Sequence, residues 1–131
     1  MKNDFNLCPM CGSKAIKNKL NKKWYCPDCD FDLYCNVAAA VGVVIIDKEN
    51  NILLETRAKE PRKGYLAFPG GFYLQTDDTV EEAATRELVE ETSVDIKITE
   101  NNLLKITSGK GRDPRGWIIS AAYMVIVDEK C

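Results

Sequence analysis

Three glutamates, Glu87, Glu90 and Glu91, stand at spacing i, i+3 and i+4. On a helix that spacing gathers three carboxylates on one face. Like charges so placed repel, and a purely structural helix gains nothing from them. A shared divalent cation removes the repulsion. Mg²⁺ is a hard ion that takes oxygen ligands and keeps waters and substrate phosphates in its shell. The trio therefore predicts phosphate chemistry with Mg²⁺, or with Mn²⁺ in its place. Taken alone it fits a solvated acidic face better. It is not alone: Arg86 precedes Glu87, and Phe68-Pro69-Gly70-Gly71-Phe72 lies upstream.

A second chemistry sits at the other end of the chain. Cys8-Pro9-Met10-Cys11 and Cys26-Pro27-Asp28-Cys29 form two CxxC pairs separated by 14 residues. Four thiolates suit a tetrahedral structural Zn²⁺, and each CxxC turn supplies two sulfurs. Cys8, Cys11, Cys26 and Cys29 are the expected ligands; Cys35 and Cys131 fall outside the pattern. A cluster of this kind belongs to a reducing compartment, so a cytoplasmic location is expected. The polar start Met1-Lys2-Asn3-Asp4 has no signal-peptide core, and no stretch is long and apolar enough for a membrane span.

These residues need elements to hold them. Residues 1–35 carry six Lys and four Asp, a net of +2, whereas residues 36–131 carry a net of −4. The chain is read as a zinc ribbon over 1–35 and a second domain over 36–131. At 45% hydrophobic residues the composition is globular. Lys14, Lys17, Lys19, Lys22 and Lys23 with Trp24 and Tyr25 suggest a nucleic-acid surface, but they fit a solvated hairpin better. Nucleic acid is not the expected partner. In the second domain, Val37 to Ile46 predicts a buried strand and Ile52 to Arg57 a return strand completing a hairpin. Thr79 to Thr92 predicts the helix, with Thr79 and Glu82 in a capping pattern. Strand character recurs between Asp95 and Ile106. A polar loop spans Thr107 to Gly116, and Trp117 to Val127 is a long apolar strand.

With those residues placed, the segment from Gly71 to Val94 resembles the Nudix box, G-x5-E-x7-R-E-U-x-E-E-x-G-U. Gly71, Asp78, Arg86, Glu87, Leu88, Glu90, Glu91 and Val94 carry the resemblance. Gly71 to Asp78 is one residue longer than the pattern, Asp78 stands for its Glu, and Ser93 for its helix-ending Gly. The resemblance implies an α+β fold, a Nudix α/β/α-type mixed sheet, here short at the C-terminus. It implies Glu87, Glu90 and Glu91 as Mg²⁺ ligands, assisted by a backbone carbonyl at Gly70 or Gly71. Arg86 would hold a glutamate in place, and Asp78 would brace the loop. The implied activity is hydrolysis of a nucleoside-diphosphate linkage by a metal-activated water. The base is a box glutamate or a later acid; the chain has no His.

Zinc ribbon followed by Nudix box is similar to the pyrophosphatases acting on NADH, ADP-ribose or FAD. Arg112-Asp113-Pro114-Arg115-Gly116 and the following Trp117 to Tyr123 resemble a segment of the ADP-ribose-acting group. This implies Arg112 and Arg115, with Arg57 on the preceding strand, as substrate contacts, and an ADP-ribose-like substrate. The alternative is a silent Nudix ligand sensor whose ribbon binds nucleic acid or protein. A short domain would leave an apolar sheet face open, which favours a homodimer.

Overall fold

The computed structural model describes residues 4–131; the polar start Met1-Lys2-Asn3 lies outside the described residues. The chain divides into two compact units, Met1–Val37 and Ala38–Cys131.

The first unit is a three-stranded antiparallel sheet, β1 (Lys17–Lys19), β2 (Lys23–Tyr25) and β3 (Asp32–Tyr34), in that order. Its core is small: Cys8, Ile16 and Cys26, flanked by Phe5, Trp24 and Phe31. Trp24 packs edge-on against Phe5 at 5.4 Å, so its ring serves this core. So few apolar side chains cannot offset the ordering entropy of some thirty residues, and a cross-link must supply the rest.

The second unit is built on β4 (Ala38–Asp47), one of two inner strands of a mixed sheet. It pairs parallel with β9 (Ile118–Val127) along its whole length, and antiparallel with β7 (Gly70–Phe72) at residues 40–42. β8 (Leu103–Thr107) completes the order β7-β4-β9-β8. One face of β4 presents Val41, Val43 and Ile45, and β9 adds Ala121, Tyr123 and Val125. Against them lies α1 (Val80–Thr92), burying Ala83, Ala84 and Leu88. The expected mixed sheet is present. Among the described residues α1 is the sole α-helix, and it covers one face; on the other, Ile126 is 65% exposed.

The hairpin expected from Ile52 to Arg57 forms only in part. Ile52 makes a single bridge to Ile46, and the Leu53 N–H bonds the Ile45 carbonyl. Glu55–Thr56 (β5) then pairs with Leu66–Ala67 (β6) instead. The reason is edge occupancy. β7 and the Pro69 carbonyl already satisfy β4 as far as Val43, so only the end of that edge is free for Ile52 and Leu53. Asp47 shapes the turn by accepting from the Glu49 and Asn51 backbone and the Asn51 side chain. The Asn51 amide leads the partners that hold its carboxyl down at about 2, with burial opposing.

The helix begins as read, with Thr79 capping the Glu82 N–H at 3.1 Å. The Glu82 carboxylate reaches back to the Asp78 N–H rather than to that of Thr79. Ser93 ends the helix in the left-handed region, φ 60°, its N–H on the Val89 carbonyl. That conformation suits glycine, since a Cβ there crowds the following carbonyl. Ser93→Gly is therefore expected to raise unfolding free energy by about 0.5–1 kcal/mol. Urea denaturation monitored by circular dichroism checks this; an unchanged or lower midpoint contradicts the strain.

Candidate functional site

The site assembles where the Gly70-Gly71 strand meets the C-terminal half of α1. Gly70 packs so tightly on β4 that a Cβ would collide with the Val41 carbonyl and lie 2.8 Å from the Gly42 Cα. At Gly71 a Cβ would sit 2.5 Å from Glu87 Oε1. The missing side chain thus lets the Glu87 carboxylate lie against the strand, only 9% exposed. Glu91 Oε2 accepts the Gly70 N–H at 2.7 Å, tying the helix to the same strand.

Arg86 holds the arrangement. Its Nε and Nη2 donate to the two oxygens of Asp77 at 2.9 and 3.0 Å. Nη2 also donates to the Phe72 carbonyl at 3.1 Å. Nη1 donates to Glu87 Oε1 at 2.7 Å and to Glu90 Oε2 at 3.3 Å. The Arg86 guanidinium holds the Asp77 carboxyl below its ordinary range, and Asp77 in turn raises Arg86. The loop brace is therefore Asp77, not the expected Asp78. Asp77 also accepts the Leu74 N–H at 2.9 Å. The extra residue lies between the brace and Arg86, not before the brace. Gly71-x5-Asp77 matches the pattern's first interval, which was the signal available in the sequence.

Of the three glutamates, Glu87 and Glu90 are paired with Arg86, whereas Glu91 faces a cleft of about 700 Å³. Burial is the first cause raising the Glu91 carboxyl, with negative charge on Glu55 and Glu87 adding to it. Glu55, from β5, lines the same cleft; it was not singled out in the sequence because it lies outside the box. Carboxylate oxygens beside glycine backbone are the donor types a hard divalent cation takes.

The same cleft carries arginines. Arg57, Arg112 and Arg115 all line the cleft. Arg57 Nε donates to the Pro61 carbonyl at 2.7 Å. Arg112 Nη2 donates to the Ile118 carbonyl and Ser120 Oγ at 3.0 and 2.9 Å. Arg115 forks onto Asp113 at 3.0 and 2.7 Å and lies 4.9 Å above the Phe72 ring. Arg115 is the main reason the Asp113 carboxyl falls to about 2.

In the N-terminal unit, Cys8, Cys11, Cys26 and Cys29 bring their sulfurs within 4.8 Å of one another. The Cys8–Cys29 and Cys11–Cys26 separations are 3.6 and 3.7 Å. A tetrahedron with Zn–S of about 2.3 Å has sulfur–sulfur edges of about 3.8 Å, so the cluster has the size zinc requires. Burial pushes the Cys8 thiol up, but the Cys11 and Met10 N–H groups outweigh it and hold it at about 7. The Phe31 N–H lowers Cys29, yet burial and the neighbouring sulfurs push it up to about 12. The sulfurs cannot all ionise together unless a cation compensates them. Cys35 and Cys131 stand exposed and apart.

Known proteins agree with this geometry. The NUDIX domain family model matches residues 37–130. An ADP-ribose pyrophosphatase of Methanocaldococcus jannaschii is 43% identical over 115 residues, 88% of this chain and 62% of that protein. An ADPR responsive transcriptional repressor NtrR of Acinetobacter baylyi is 39% identical over 80 residues, 60% of this chain and 31% of the repressor. The chain thus spans from about a third to three fifths of these relatives' lengths. Among solved structures, the NUDIX domain of Shewanella oneidensis NrtR complexed with ADP ribose superposes with a TM-score of 0.65 at 25% identity. That match covers 82% of this chain and 68% of the other. With Glu87, Glu90 and Glu91 held by Arg86 and the Gly70 N–H, and the family model matched over residues 37–130, this chain belongs to the Nudix family.

Proposed function

We propose that the chain is a Mg²⁺-dependent hydrolase of the diphosphate linkage in an ADP-ribose-like molecule. The observation that carries this is the mixed charge of one cleft: Glu55 and Glu91 line it together with Arg57, Arg112 and Arg115. A diphosphate with a sugar at each end needs cations at its bridge and donors on its flanks. Glu87, Glu90 and Glu91, with the Gly71 carbonyl, are the metal ligands in this reading. Arg86 positions Glu87 and Glu90 and, through Asp77 and Phe72, fixes them against the strand. A divalent cation bound there supplies charge neutralisation and an activated water. Arg57 and Arg112 keep guanidinium N–H groups for phosphate or ribose oxygens. Arg115, forked onto Asp113, presents its Nη1. The relative that acts on ADP-ribose and the neighbour that binds it support the substrate class.

The repressor relative favours a second reading, a ligand sensor without catalysis. A pure sensor has no need of all three box glutamates, which favours the enzyme. The two are separated by assaying ADP-ribose, NADH, FAD and nucleoside triphosphates with and without Mg²⁺. ADP-ribose is expected to turn over fastest, to AMP and ribose 5-phosphate. Glu91→Gln keeps an oxygen for the Gly70 N–H but loses the charge, so turnover should fall on the order of 10²-fold with folding little changed. ADP-ribose binding without Mg²⁺-dependent hydrolysis would establish the sensor.

The proposal extends to the domains: residues 1–35 as a zinc ribbon, residues 36–131 as the Nudix domain. The ribbon's metal is structural, because its four ligand positions are all protein sulfur. The purified protein should hold one Zn²⁺ per chain. A thiol-competitive chelator should unfold the ribbon while leaving the second unit's helical circular dichroism intact. Elemental analysis finding no zinc, with Cys8, Cys11, Cys26 and Cys29 in disulfides, contradicts it.

A further inference from the structure

We propose that the outer face of the N-terminal sheet binds single-stranded nucleic acid, with Tyr34 as a stacking platform and Lys17 and Lys19 as phosphate partners. The strand registers define that face. Directly paired residues of antiparallel strands share a side, and side chains alternate along each strand. Lys19, Lys23 and Tyr34 therefore form one cross-strand row, and Lys17, Tyr25 and Asp32 the next. Trp24 belongs to the other side, with Phe5 and the buried cysteines. In the sequence Trp24 stands among the lysines; the fold withdraws it into the core and sets Tyr34 beside them instead.

Tyr34 is 61% exposed. The Lys23 ammonium lies 5.5 Å from its ring centroid and 3.0 Å from Asp32, which compensates its charge. Lys17 and Lys19 are exposed, and among the described residues the lysine ion pairs are those of Lys23, Lys48 and Lys130. Two uncompensated ammonium groups thus share a face with an exposed aromatic ring. Solubility accounts for the lysines but not for the ring. An unpaired nucleotide strand uses both, since a base stacks on the tyrosine while phosphates meet the ammonium groups. A duplex keeps its base faces stacked on one another, and an acidic peptide leaves the ring idle. The charge balance agrees: residues 1–35 carry a net of +2 and residues 36–131 a net of −4, so a polyanion is drawn to the first unit. The proposal holds whether the cleft of the second unit hydrolyses its ligand or only binds it.

Fluorescence anisotropy of the full zinc-loaded chain, in Mg²⁺-free buffer, with labelled oligouridylate and oligothymidylate tests this. Binding of either strand supports the proposal, and the tighter of the two names the sugar. Two free lysines predict a slope of log affinity against log salt of about −1.4, at about −0.7 per phosphate neutralised on a single strand. Lys17→Gln and Lys19→Gln should each reduce that slope by about 0.7. Tyr34→Ala should weaken binding about tenfold, and Tyr34→Phe, which keeps the ring, should bind like wild type. Zinc content should be unchanged in all four variants; if Tyr34→Ala loses its metal, Tyr34→Phe and the lysine variants carry the test. Saturating ADP-ribose should not displace the strand, because the face lies outside the cleft. No binding, displacement by ADP-ribose, or equal binding of a duplex overturns the proposal. So does affinity indifferent to Tyr34→Ala and competed equally by polyglutamate, which would mark a face for acidic protein instead.

Discussion

The Arg86 guanidinium joins three segments that the chain delivers separately: the loop at Asp77, the strand at Phe72, and the helix at Glu87 and Glu90. Its side chain is 23% exposed and that of Asp77 5%, so both charges are largely withdrawn from water and each depends on the other. Only a planar fork with donors on three nitrogens spans these acceptors; lysine offers a single point. One consequence is geometric, because the glutamates are fixed relative to the Gly70–Phe72 backbone before any ligand arrives. The other is electrostatic. A single positive charge faces Asp77, Glu87 and Glu90, while Glu91 and Glu55 stand outside its ion pairs. Glu91 is thus left free of the staple on the cleft side of the helix.

The helix carries the consequences. Its first turn holds Glu81 and Glu82, where negative charge suits the dipole. Its last turn holds Glu90 and Glu91 and no basic residue, where the dipole opposes them. It then ends on a left-handed serine. A helix selected for stability alone would reverse the charges and close with glycine. This one is retained by packing, through Ala83, Ala84 and Leu88 against β4 and β9, so the catalytic face is free to be unfavourable.

Periodicity and capping chemistry made α1, β4 and β9 legible in the sequence, because burial on one face writes itself into alternating or helical spacing. The spacing of Cys8, Cys11, Cys26 and Cys29 made their cluster legible for a different reason, since a tetrahedral ion dictates it. The hairpin at Ile52 was misjudged because its pairing depends on which edge of β4 Gly70–Phe72 already occupies, a competition that no local pattern records. The brace was placed on Asp78 by counting back from Arg86, when the Phe72 carbonyl and the Leu74 N–H select Asp77. Glu55 is not legible in the sequence because its place in the cleft with Glu91 is set by the β5–β6 pairing.

The arginines of the cleft are held by a different constraint from the carboxylates. The cluster around α1 is stapled by one residue, whereas the arginines are each tethered to their own support. Arg112 is held by the end of β9, Arg57 by the loop at Pro61, and Arg115 by Asp113 and the Phe72 ring. Tethering some donors of a guanidinium narrows its orientations, so less entropy is lost when the remaining donors engage an anion. Phe72 links the two groups, since its carbonyl accepts from Arg86 while its ring supports Arg115. A displacement of that strand would therefore move the Arg86 cluster and Arg115 together.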